Sequence, residues 1–133
     1  VAVSPGERDR RARVLVVEDD EEVGRFLEEV ITASGYLVVR AKNGAEAVAA
    51  LAAPKQEAPH AVLLDLNLPL ESGVSVLSFL RNVMHSGLPV VVLTGSGGPE
   101  EERAARSLGV SDYLLKPASP AQVLHALRSA LRC

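Results

Sequence analysis

Glu18, Asp19, Asp20, Glu21 and Glu22 follow one another without a break, directly behind the apolar run VLVV at residues 14–17. Carboxylates can hold a hard divalent cation, move protons or attack an electrophile, and the polar groups the fold brings beside them decide which. Three later stretches place such groups behind apolar runs: Asp65 after AVLL, Thr94 and Gly95 after VVVL, and Lys116 after DYLL. Asp65 is the most telling, because it ends a run that must be buried and precedes LNLP, not a helix start. A buried carboxylate without a partner neutralises itself or costs heavily. Asp20, Glu21 and Glu22 have a simpler role as acidic residues opening a helix, each contributing about 0.3–1 kcal/mol against the helix dipole.

These residues meet only if the intervening chain makes alternating strands and helices, and its pattern does so. VLVV is continuous and mostly β-branched, as in a strand buried on both faces. Val23, Phe26, Leu27, Val30 and Ile31 recur at helical spacing, with Gly35 placed to close the helix in a left-handed conformation. YLVVRA reads as a second strand, and NGAEAVAALAA as a second helix with Asn43 as N-cap and Glu46 three residues on. AVLLD is a third strand, followed by a helix turning Val76, Leu77 and Leu80 inward. LPVVVLT is a fourth strand, and Glu100 to Leu108 a polar helix stopped by Gly109. DYLL is a fifth strand, and the last helix opens with Ser119 as N-cap, Pro120 at its first position and Gln122 at the capping-box place.

Five strand and helix pairs predict an open, doubly wound parallel sheet with helices on both faces. Right-handed crossovers bring every strand C-terminus to one edge, where ligands of such sheets bind. Glu18, Asp19, Asp65, Thr94 and Lys116 all fall at that edge, whereas the second strand ends in the bland RAKNG.

The 133 residues, 47% hydrophobic, suffice for one core. A net charge of −3 with scattered basic residues argues against direct nucleic acid binding. The single cysteine, Cys133, has no partner for a disulfide, which fits a reducing cytoplasm. No apolar run is long enough to cross a bilayer, and VAVSPGERDRR lacks the apolar centre of a signal peptide, so residues 1–11 read as a disordered tail or an expression remnant. His60, His85 and His125 show no ligand spacing.

VLVVEDD, VLLDLNLP with Gly73 four residues later, VVVLTG and DYLLKP occur in the order, and at close to the spacings, found in one family. On them the chain resembles the receiver domain of two-component response regulators, over residues 12–133. The resemblance implies a flavodoxin-like (βα)5 fold with strand order 2-1-3-4-5. It implies that Asp65 is the phosphoacceptor, taking a phosphoryl group from a sensor histidine kinase or histidine phosphotransfer protein. Mg²⁺ or Mn²⁺ would be held by Asp19 and Asp65 directly, by Glu18 through water and by the Asn67 backbone carbonyl. Lys116 and Thr94 would bind phosphoryl oxygens, and Gly95 would leave room beside them. The Lys116–Pro117 peptide is expected to be cis. Thr94 and Tyr113 are the implied switch, Tyr113 turning from exposed to buried and remodelling the face made by the fourth helix, fifth strand and fifth helix for an effector. The bland alternative for Tyr113 is a half-buried aromatic with a wet hydroxyl.

Some residues depart from the family pattern. Ala118 stands where many receivers have phenylalanine, and Ala126 where winged-helix regulators carry an arginine used in dimer salt bridges. A monomer or a weak, phosphorylation-promoted dimer is therefore expected. TGSGGP suggests a mobile start to the fourth helix, and Ser96 and Asn67 sit where the family tunes phosphate lifetime. Two other classes stay open. One is a receiver-like binding module that does not switch. The other is a Mg²⁺-dependent aspartyl-phosphate phosphatase, disfavoured because Asn67 stands where such hydrolases resembling the haloacid dehalogenases need a second aspartate. The chain is expected to be a stand-alone receiver or the regulatory part of a larger regulator.

Overall fold

The computed structural model describes residues 11–69, 71–95 and 98–132. Apart from Arg11 the expected tail lies outside these, as do Ser96 and Gly97 of the glycine-rich stretch and Cys133. Five strands, β1 (Arg13–Val17), β2 (Leu37–Ala41), β3 (Ala61–Leu64), β4 (Val90–Thr94) and β5 (Asp112–Leu115), alternate with helices α1 (Glu21–Ala33), α2 (Gly44–Leu51), α3 (Gly73–Ser78), α4 (Pro99–Ser107) and α5 (Pro120–Leu131). The sheet order is β2-β1-β3-β4-β5 and every pairing is parallel, as expected.

Alternation along the strands builds two cores. Leu15 and Val17 of β1 face α2, α3 and α4 through Ala47, Leu77 and Ala105, while Val14 and Val16 face α1 and α5 through Leu27, Ile31 and Leu127. Each fully buried leucine or valine contributes about 1.5–3 kcal/mol, and β1, β3 and β4 are lined with them. The buried stripe of α1 is Gly24, Leu27 and Ile31, so Phe26 falls on its flank and stays 41% exposed. There it borders an apolar recess lined also by Leu27, Leu93, Pro117 and Ala118.

The ends of the helices follow their local chemistry. Gly35 and Gly109 adopt φ of 95° and 83° after α1 and α4, the left-handed turns a Cβ would disfavour. Ser119 and Gln122 form the reciprocal capping box of α5. At α2, Asn43 caps Glu46 N at 2.8 Å, but the Glu46 carboxylate accepts from Lys42 N at 2.8 Å, one residue earlier than a capping box requires. The third helix changes pitch: α3 runs directly into a π-helical stretch, Phe79–Val83, with Met84 N donating to Phe79 O at 3.0 Å. Arg81 leaves this stretch to donate to Leu108 O (2.8 Å), Gly109 O (2.6 Å) and Ser86 O (2.8 Å), and burial pulls its pKa down.

Candidate functional site

Glu18, Asp65 and Thr94, at 3%, 4% and 0% exposure, are the buried polar or charged residues among those described. Each follows or ends a central strand, at the same edge of the sheet. Strand pairing holds the spot: Glu18 N donates to Ala41 O at 2.9 Å, Asp65 N to Val17 O at 3.0 Å and Lys116 N to Thr94 O at 2.8 Å. Their backbones are thus fixed by the sheet before any side chain acts.

Lys116 enters over this edge from the end of β5, and its peptide bond to Pro117 is cis. Its Nζ lies 2.6 Å from Glu18 Oε1 and 2.9 Å from Asp65 Oδ2, bridging the two carboxylates. Asp65 Oδ1 accepts from Asn67 N at 2.9 Å, and Glu18 Oε2 from Asp20 N at 3.2 Å. Burial is the main cause that pushes the Glu18 carboxyl up to about 7; Lys116 and the Asp20 amide oppose it and Asp65 adds to it. Burial alone would lower Lys116, yet its bonds to Glu18 and Asp65 outweigh it and hold the ammonium above its ordinary value.

Asp19 is exposed at the rim, and one oxygen from each of Glu18, Asp19 and Asp65 lies within 4.8 Å of the others. An all-oxygen, acidic set of three converging carboxylates fits a hard divalent ion such as Mg²⁺. Asp20 instead caps α1, accepting from Val23 N at 3.0 Å, which is the helix-start role its sequence position suggested. Among the described residues a Cβ at Gly95 would meet Lys116 Cδ, at 3.8 Å, so the approach beside the Lys116 side chain is uncrowded by them. A Cβ at Gly73 would overlap the Asp65 carbonyl, so the start of α3 packs directly on the backbone of Asp65 and Leu66.

The structure therefore brings Glu18, Asp19, Asp65, Asn67, Thr94 and Lys116 together, with Tyr113 standing apart. Tyr113 is half-buried on the α4 side of the sheet, with the Arg106 guanidinium 5.6 Å from its ring centre. Its hydroxyl is dry and has no hydrogen-bond partner among the described residues, unlike the wet hydroxyl of the bland alternative. Burial first, then Glu101 and Glu102, raise its pKa, with Arg106 opposing. His60 has a structural role, its Nδ1 accepting from Arg13 N at 2.9 Å.

Two contributions were missed at the level of sequence. The Asn67 side chain donates from Nδ2 to Thr94 Oγ1 at 3.2 Å, joining two strand ends; nothing in LNLP distinguishes this from a solvated amide. The end of β2 is not bland, because Arg40 reaches α1 and pairs with Glu21 and Glu28. Its signal was Gly24, a helix-interior glycine, which marks close approach of another group.

The family model described as response regulator receiver domain matches residues 14–128. The chain is 38% identical over 120 residues to the transcriptional regulatory protein PrrA of Mycobacterium tuberculosis (strain ATCC 25618 / H37Rv), covering 90% of this chain and 50% of that protein. It thus spans about half the length of the curated relatives it matches. Among solved structures, the non-phosphorylated HemR receiver domain from Leptospira biflexa superposes with a TM-score of 0.82 at 31% identity, covering 92% of this chain and 96% of that one. A CheY-like response regulator receiver domain protein from Methanospirillum hungatei JF-1 shares the fold, with a TM-score of 0.83 at 24% identity over 91% of this chain and 94% of that one.

Proposed function

The chain belongs to the family of response regulator receiver domains, and on that premise we propose that it is a phosphorylation-dependent signalling switch whose phosphoacceptor is Asp65. One observation carries this reading: the buried carboxylates Glu18 and Asp65 share the ammonium of Lys116 at one sheet edge, beside the buried hydroxyl of Thr94. The donor is a sensor histidine kinase or a histidine phosphotransfer protein. An Asp65 carboxylate oxygen forms the bond to phosphorus as the phosphorus–nitrogen bond of the donor breaks, and the donor imidazole keeps the electron pair.

Anion must meet anion in this reaction, so the work of the site is positioning and charge. Asn67 N fixes one oxygen of Asp65, and Lys116 exchanges the other for a phosphoryl oxygen. Asn67 Nδ2 occupies a lone pair of Thr94 Oγ1 and leaves the hydroxyl proton free to bind a second phosphoryl oxygen. Mg²⁺ or Mn²⁺, when bound by Asp19, Asp65, the Asn67 carbonyl and, through water, Glu18, supplies further neutralisation of the phosphoryl charge.

The response leaves through Thr94 and Tyr113 to the face formed by α4, β5 and α5, which meets an effector domain or partner protein. Tyr113 is half-buried before phosphorylation, and the phosphoryl group acts by favouring its buried state. The chain itself binds no nucleic acid and acts in the cytoplasm, as a monomer or a weak dimer promoted by phosphorylation. Acetyl phosphate with Mg²⁺ should add one phosphoryl group to the intact mass, and alkali should remove it as expected of an acyl phosphate. Full labelling of Asp65→Asn would overturn the assignment.

A further inference from the structure

Arg40 is the last residue but one of β2, yet its guanidinium lies across α1. Nη1 and Nη2 donate to Glu21 Oε1 and Oε2, both at 3.3 Å, and Nη1 stands 3.6 Å from Glu28. The side chain is 20% exposed and crosses the helix at Gly24, where a Cβ would overlap the guanidinium. Lys42, two residues on, adds a longer pair to Glu21 at 3.8 Å. Glu21 is the first residue of α1, adjoining the cap Asp20, which in turn gives its amide to Glu18 Oε2. We propose that Arg40, seated on Gly24, is a positioning residue: by clamping the first turn of α1 through Glu21, it holds the Asp19–Asp20 loop in its metal-binding arrangement.

The clamp rests on the reading of the acidic edge as a Mg²⁺ site, but its test separates the two. Coulomb's law alone says that removing a cation next to acidic residues tightens Mg²⁺ binding. Positioning says the reverse, since a loosened loop must be ordered when the ion binds. Arg40→Ala and Gly24→Ala remove the clamp in different ways. The first deletes the cation, while the second keeps it and denies it its seat. Gly24→Ala also raises helix propensity, so a general loss of structure does not explain its effect, and only the far end of a flexible side chain has to move.

Mg²⁺ titrations of the whole chain, followed by amide shifts at Asp19 and Asn67, should show binding weakened about two- to fivefold in both variants, within the range that charge pairs of this kind contribute. The double variant should be no weaker than either single one. Amide hydrogen exchange in metal-free protein should quicken at Asp20 to Val23 in both, with urea midpoints near wild type for Gly24→Ala. Tighter Mg²⁺ binding in Arg40→Ala, or wild-type exchange at Asp20 to Val23 in both variants, overturns the clamp. A wild-type protein that fails to bind Mg²⁺ overturns instead the reading of the site, and the exchange measurement still decides whether Arg40 holds the loop.

Discussion

The inner strands and the β5 edge of the same sheet are built to different standards. In β1, β3 and β4 every residue from Val14 to Val17, Ala61 to Leu64 and Val90 to Thr94 is buried, and their end groups Glu18, Asp65 and Thr94 are all bonded. Residues Asp112 to Leu114 of β5 are only half-buried and Leu115 is exposed. The helix beside it, α4, buries only Ala105 among its residues, and Tyr113 Oη and Glu101 Oε1 are dry without hydrogen-bond partners among the described residues. The proposed phosphoryl transfer, which needs fixed geometry, falls on the well-packed part, and the proposed rearrangement on the half whose weaker packing makes it less costly.

The largest expected effect tests this contrast in packing. Leu63→Ala, in the middle of β3, should cost about 2–5 kcal/mol in urea unfolding, as buried leucine truncations do. Leu114→Ala, facing the α5 side from β5, should cost clearly less, about 1–2 kcal/mol, because its site is already partly open to water. Equal costs would break the comparison.

A smaller effect probes the charged edge in metal-free protein. The folded-state pKa of Glu18 is raised from 4.5 to about 7, so the folded chain holds this proton more tightly than the unfolded chain does. Its contribution therefore favours folding below pH 4.5 and is lost as the pH rises to about 7. Glu18→Gln cannot titrate. Across that window wild type should lose up to about 3 kcal/mol relative to the variant. Parallel stability profiles from pH 4 to 8 would show that the inner edge does not store this strain of charge.

The smallest effect sharpens the picture of β5. Tyr113→Phe removes a dry hydroxyl that has no partner among the described residues, and the unphosphorylated variant should gain about 1 kcal/mol in its free energy of urea unfolding. A loss of that size would mean that the hydroxyl has a partner and that β5 is as fully satisfied as β3.

Much of this was legible because two periodicities carry it. Runs such as VLVV and VVVL had to be buried strands, and the polar residues behind them had to reach one edge once the crossovers were right-handed. Caps were legible where one residue decides them, as at Ser119 and Gly35. What the sequence did not disclose lies where a side chain chooses among partners distant in sequence. Arg40 could have faced water, Asn67 could have been a solvated amide, and Phe26 has helical spacing yet flanks the stripe instead of joining it. The π-helical stretch after Ser78 was also invisible, since FLRNV has an ordinary helical composition.

The three backbone carbonyls taken by Arg81 have a mechanical consequence for α4. Bonds from a charged donor contribute about 1.5–3 kcal/mol each, and two of these three hold Leu108 and Gly109, at the last turn of the helix. At the other end Gly98 provides no side-chain cap and Pro99 no amide hydrogen. The helix is thus riveted at one end and lightly held at the other. A displacement of α4 that keeps Arg81 bonded pivots about Leu108, with the largest arc traced by Pro99 and Glu100, at the end of the helix that follows β4 and Thr94.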